Sequence, residues 1–123
     1  MFEVTIIKSF SAAHLLAEIG GKCEELHGHN FKVEVTVGAP ALNSEGILID
    51  FRLVKKWLQD VLNRMDHQHL NDLPFFAGKN PSSENIAYLI YRELKDSVRE
   101  AGIKLLAVKV WESENAAVTY RED

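Results

Sequence analysis

Phe2, Val4, Ile6 and Phe10 fall on even positions, the period of a strand with one buried face, and Ala12 and His14 continue that parity. After an irregular stretch holding Gly20, Gly21 and Cys23, a second alternation runs from His27 to Val37. There Phe31, Val33, Val35 and Val37 are apolar, while Lys32, Glu34 and Thr36 are polar. Two such strands joined by a loop of about a dozen residues pair most simply antiparallel.

The residues from Gly38 to Gly46 are turn-like, and the apolar run Ile47 to Ile49 leads to Asp50, whose carboxylate can cap a helix. Leu53, Val54, Trp57, Leu58, Val61, Leu62 and Met65 then recur at helical spacing, with Lys55, Lys56 and Gln59 on the other face. Residues 66–81, with Pro74, Gly78 and Pro81, read as a loop. Ser82 or Ser83 caps a second helix bearing Ile86, Leu89, Ile90, Leu94 and Val98, and Gly102 stops it. Residues 103–112 form a strand in which Leu106, Val108 and Val110 share a parity, and a turn leads to a last strand around Val118 and Tyr120. The order β-β-α-α-β-β predicts an α+β domain, a four-stranded antiparallel sheet with two helices on one face.

Length and composition narrow the picture. With 123 residues, 46% hydrophobic and 26% charged, the chain suits one domain over residues 1–123. A net charge of −4 gives no global basic field for nucleic acid or an anionic membrane, and no apolar run is long enough for a membrane span. The single cysteine, Cys23, excludes an internal disulfide and suits a reducing, cytoplasmic setting.

The chemistry concentrates in four places. His27 and His29 flank Gly28 at the start of a strand, so both imidazoles project from one face, and antiparallel pairing can bring His14 beside them. Three imidazoles with an open fourth position suit a catalytic zinc ion; with Cys23 as fourth ligand the same set makes a structural site of one cysteine and three histidines. H-x-H alone is a weak signal, and three unrelated histidines remain compatible with it. Asp66-His67 pairs a carboxylate with an imidazole, a unit suited to proton transfer, and the same stretch supplies His69 and Asp72. The alternative is a helix-terminating aspartate beside an exposed histidine. Glu112 extends the apolar parity of its strand, where a carboxylate can accept the paired N–H donors of a guanidine-like heterocycle edge, or else lies in solvent past the strand end.

Taken together, FSAAH ending in His14, CEELHGHN from Cys23 to Asn30, MDHQHLND around Asp66-His67, NPSSEN from Asn80 to Asn85 and VWESENAAVTY containing Glu112 resemble the 6-pyruvoyl-tetrahydropterin synthase family. The nearest likeness is its bacterial branch of 6-carboxy-tetrahydropterin synthases. The resemblance covers nearly the whole chain with the motifs in order.

It implies a tunnelling fold whose subunits associate, as tetramer or hexamer, so that their sheets make a barrel with active sites where subunits meet. It implies zinc on His14, His27 and His29, Cys23 as a proton-transferring thiolate, and Asp66 with His67 as its activating partners. Glu112 would anchor a pterin ring, with Ser83 and Glu84 lining its pocket; the family often has Thr where Ser82 and Ser83 stand. The implied substrate is 7,8-dihydroneopterin triphosphate. The implied products are 6-carboxy-5,6,7,8-tetrahydropterin, acetaldehyde and triphosphate, on the route to queuosine. Lys22, Arg52, Arg64 and Lys79 are candidate triphosphate contacts. Glu24 also matches an E-x-x-H-G-H pattern of a related branch that forms 6-hydroxymethyl-dihydropterin, and formation of 6-pyruvoyl-tetrahydropterin at the same site is a further alternative.

Overall fold

The computed structural model describes residues 1–16 and 26–122, and of His27 the backbone. Strand β1 (Phe2–His14) pairs antiparallel with β2 (His27–Ala39) from Phe2 opposite Ala39 to His14 opposite His27, without a register shift. Because this register sets even positions of β1 against odd positions of β2, Ile6 meets Val35 and Phe10 meets Phe31 on one face. Both alternations of the sequence therefore feed one core.

Helix α1 (Phe51–Leu62) begins where Asp50 accepts the Arg52 backbone N–H, and it buries Val54, Leu58, Val61 and Leu62. Trp57 is half-buried and Leu53 faces solvent, so the buried stripe is narrower than the apolar pattern suggests. Helix α2 (Ser83–Glu100) is capped by Ser82, whose Oγ accepts from Asn85 N–H. It ends at Ala101, followed by Gly102 with φ of 79°, the left-handed conformation that glycine adopts without a Cβ clash. Both helices lie on the sheet face carrying Phe10, Phe31, Val33, Val35, Val108 and Val110, and these residues form one buried cluster with the helix stripes.

Strand β4 (Lys104–Ser113) adds to β2 and β5 (Ala116–Tyr120) adds to β4, both antiparallel. The sheet differs from the expected four strands by a fifth, β3 (Gln68–His69), which pairs parallel with Ala12 and Ala13 and gives the order β3-β1-β2-β4-β5. The expected loop over 66–81 thus contains a short strand and two 3-10 turns, Leu70–Asp72 and Pro74–Phe76. No period-2 pattern can signal a two-residue strand; the unpaired backbone edge of β1 creates it. A second departure lies in β4. Val35 stands opposite Val108 but Val37 opposite Leu105, so a bulge puts Leu105, not Leu106, on the buried face.

The opposite face of the sheet is polar. Thr5 and Thr36 hydroxyls meet at 3.2 Å, Lys32 and Lys109 flank the Trp111 ring, and the Trp111 indole N–H donates to Glu34. Among the described residues no helix is long and apolar enough to cross a membrane.

Candidate functional site

At the end of the sheet where β1 finishes and β2 begins, the apolar parity turns into chemistry. Phe31 stacks on Phe10 at 5.0 Å and packs near-edgewise against His14 and His29, each ring centroid 5.5 Å away. His14 is fully buried. Its Nδ1 lies 2.7 Å from the Pro81 carbonyl oxygen. A carbonyl can only accept, so Nδ1 carries the hydrogen and, in the neutral ring, Nε2 carries the lone pair.

That Nε2 lies 3.1 Å from Glu112 Oε1, and His29 Nε2 lies 3.2 Å from the same oxygen. Glu112 arrives at the end of β4, where its strand parity aims it at this corner. Neutral imidazole nitrogens and a carboxylate oxygen are all lone-pair donors at that corner, and such a triad coheres only around protons or a metal cation. Ligand atoms around a tetrahedral zinc stand about 3.3 Å apart. The two histidine-to-Glu112 spacings match, and the Pro81 carbonyl is the kind of outer partner that fixes a metal-binding imidazole. His14, His29 and Glu112 could hold a metal.

Beside this corner a crevice of about 120 Å³ is lined by Leu16, Ser82, Ser83, Glu84, Glu112 and the start of β5. Ser83 Oγ is buried there without a hydrogen-bond partner. An orphaned buried hydroxyl carries a desolvation cost of about 1–3 kcal/mol, which a polar ligand in the crevice would relieve. Glu84 stands exposed in the first turn of α2, at the helix's positive end.

Asp66 and His67 occupy the outer edge of β1. Asp66 Oδ1 accepts the Ser11 backbone N–H at 2.9 Å and lies 3.2 Å from His67 Nδ1, while His67 N–H donates to the Ser11 carbonyl at 2.6 Å. The Ser11 N–H, aided by His67, holds the Asp66 carboxyl below its ordinary range. His67 has φ of 60°, left-handed backbone that a non-glycine residue rarely adopts and that turns the chain into β3. Its imidazole is exposed and lines an open cleft of about 490 Å³ with Ser11, Gly28, His29, Asn30 and His69. A Cβ added at Gly28 would meet only the Ala12 carbonyl, at 3.8 Å, so this cleft does not demand glycine sterically.

The structure thus unites His14, His29 and Glu112, sets Ser83 and Glu84 beside them, and keeps Asp66 with His67 at the β1 edge. His27 takes the backbone position opposite His14, and its side chain lies outside the described residues, as do Cys23, Glu24 and Lys22. Arg52 pairs with Asp50, Arg64 with Glu93, and Lys79 sits over the Phe75 ring; none of the three lines either cavity. Sequence reasoning missed the Pro81 carbonyl and the Ser11 backbone, because backbone groups leave no residue-type signal.

A family model described as 6-pyruvoyl tetrahydropterin synthase matches residues 3–123. The 6-carboxy-5,6,7,8-tetrahydropterin synthase of Synechocystis is 37% identical, over 91% of this chain and 87% of that protein. The human 6-pyruvoyl tetrahydrobiopterin synthase is 34% identical, over 92% of this chain and 86% of that protein. Among solved structures, Caenorhabditis elegans 6-pyruvoyl tetrahydropterin synthase superposes with a TM-score of 0.88 at 28% identity, covering 99% of this chain and 96% of that one.

Proposed function

Because the chain belongs to the 6-pyruvoyl tetrahydropterin synthase family, we propose that it converts 7,8-dihydroneopterin triphosphate to 6-carboxy-5,6,7,8-tetrahydropterin, acetaldehyde and triphosphate with the help of bound zinc. The observation that carries this reading is the convergence of His14 Nε2, His29 Nε2 and Glu112 next to a crevice holding the orphaned Ser83 hydroxyl.

In this reading His14, His27 and His29 hold the zinc, which when bound supplies Lewis acidity at the substrate's side-chain oxygens and makes the adjacent C–H protons more acidic. The Cys23 thiolate moves those protons, and Asp66 with His67 tunes it. Asp66 is suited to the task because its carboxylate, ionised at neutral pH as any ordinary aspartate is, lies 3.2 Å from the His67 imidazole. Glu112 accepts the paired N–H donors of the pterin edge, with Ser83 and Glu84 on the crevice wall. Residues 1–123 act as one catalytic domain in the cytoplasm, where a free Cys23 thiol persists.

The two outer strands support self-association. Among the described residues β5 has no strand neighbour beyond β4, and β1 has one beyond β2 only at Ala12 and Ala13. Phe2 is exposed at the start of β1. Such edges are completed when copies of a chain join sheet to sheet. Native mass spectrometry should then give a tetramer or hexamer, and a monomer would count against shared sites.

Mass analysis of the products formed from dihydroneopterin triphosphate tests the reaction. Carboxypterin with acetaldehyde supports it; hydroxymethylpterin or pyruvoylpterin instead assigns the alternative chemistry at the same site, in the first case through Glu24. Cys23→Ala should keep zinc and lose turnover. Loss of zinc and of the fold in that variant would instead indicate a structural centre in which Cys23 completes the three histidines. The geometry also favours a second ligand set, His14, His29 and Glu112. Glu112→Gln separates the two: a pterin anchor loses substrate and keeps zinc, whereas a ligand loses zinc first.

A further inference from the structure

Beyond the Asp66 carboxylate and the His67 backbone N–H, the loop after α1 holds β1 by one more side chain. Asn71 Oδ1 accepts the Leu15 backbone N–H at 2.8 Å, and Asn71 Nδ2 donates to the Leu15 carbonyl at 2.9 Å. A side-chain amide here imitates a neighbouring strand and satisfies both backbone groups of the residue that follows His14. The loop consequently tracks β1 step by step: Asp66 and His67 at Ser11, Gln68 and His69 opposite Ala12 and Ala13, Asn71 at Leu15. His14 lies between the last two of these ties.

We propose that Asn71 is a positioning residue for the metal-binding imidazole of His14; the inference rests on the zinc-centred reading above. Among the described residues the Asn71 side chain bonds to the backbone of Leu15, and it acts through that backbone. The end of a strand frays unless its N–H and C=O groups are occupied, and fraying at Leu15 would rotate the His14 backbone and swing its Nε2. Metal ligands must be held within about 0.5 Å and 10–20° of their working geometry. The Pro81 carbonyl fixes the ring's tautomer and tilt, and the Asn71 amide fixes the main chain from which the ring hangs. Only a carboxamide serves, because accepting from N–H and donating to C=O needs both an oxygen and an NH2 group on one planar end. An aspartate retains the first bond and sets a negative oxygen against the Leu15 carbonyl.

The test is cobalt(II) binding to the full chain, read as affinity and as the visible d–d spectrum. Asn71→Ala should bind cobalt about 10-fold more weakly or worse, with altered band intensities, in line with outer-sphere substitutions at metal sites. Asn71→Asp should show a loss of the same kind. Val98→Ala, a core truncation in α2, should lower the melting temperature while leaving affinity and spectrum unchanged. Cobalt affinity and spectrum in Asn71→Ala equal to those of the unaltered protein would overturn the inference. Should Asn71→Ala fail to fold, Asn71→Asp decides by the same two readouts. An unaltered protein that takes up no cobalt overturns both the inference and the metal reading. Normal cobalt binding without pterin turnover would sink only the proposed reaction, with the Asn71 result still standing or falling on its own.

Discussion

His14 lies 3.1 Å from the carboxylate of Glu112 and His67 lies 3.2 Å from that of Asp66, yet His14 is fully buried and His67 is 80% exposed. The first imidazole is fixed by what surrounds it: Phe31 at its edge, the Pro81 carbonyl on Nδ1 and His29 beside it. The second is fixed by its own main chain, which turns through a positive φ and hydrogen-bonds to Ser11. In the proposed reaction, packing suits His14 as a metal ligand that must stay still, and backbone anchoring leaves the His67 imidazole in contact with the cleft, as a proton carrier requires. Damage to the first region should accordingly show as lost stability, and damage to the second as lost turnover.

The largest expected effect is on turnover. Asp66→Ala should lower kcat by about 10²–10⁴-fold, the usual contribution of general acid–base partners, while zinc content and melting temperature change little. A collapse of zinc content in that variant would show the two regions to be one. Phe31→Ala attacks the packed side and should cost about 3–5 kcal/mol in urea unfolding, because it removes a fully buried ring beneath both imidazoles. A cost under about 1 kcal/mol would mean that packing does not hold this corner.

Ser83→Ala sharpens the contrast within the packed side. Removing an unpartnered buried hydroxyl should leave stability unchanged or raise it by about 1 kcal/mol, while KM for the pterin substrate rises. A loss of stability would reveal a structural role for the hydroxyl. The smallest effect is on acid sensitivity. A carboxyl whose folded pKa is lowered stabilises the fold above the ordinary carboxylate range and loses that contribution as pH falls through its lowered value. Asp66→Asn should therefore lose a little stability at neutral pH and show a flatter acid-unfolding profile; an unchanged profile would mean that Asp66 adds nothing.

Legibility in the sequence followed the same division. The strand parities that put Ile6, Phe10 and Phe31 in the core also put His14 and His29 at its rim, so that corner could be read in advance. Asp50, Ser82 and Gly102 were legible as helix ends because capping depends on side-chain type. Leu106 misled, because a bulge changes parity without leaving a mark in the alternation. Strand β3 and the Asp66–Ser11 contact were hidden for another reason: each depends on a backbone group of β1 meeting a loop residue about 55 positions away in the chain. Glu112 was legible as an anomalous carboxylate, but its approach to two imidazoles needed the register of β2 with β4.

The stepwise ties between residues 66–71 and residues 11–15 also determine where this protein can change length. One residue inserted between Asp66 and Asn71 would break the in-step match to β1, and at least one of Asp66, His69 and Asn71 would lose its place. The turn at Gly78 behaves oppositely: residues 77–79 are exposed, its φ of 76° already departs from any regular element, and a Cβ there would meet nothing within 4 Å. Insertions and grafted peptides belong at Gly78, and a deletion scan along the loop would find tolerance confined to the exposed turn at residues 77–79, between the buried Phe76 and the Pro81 carbonyl that meets His14.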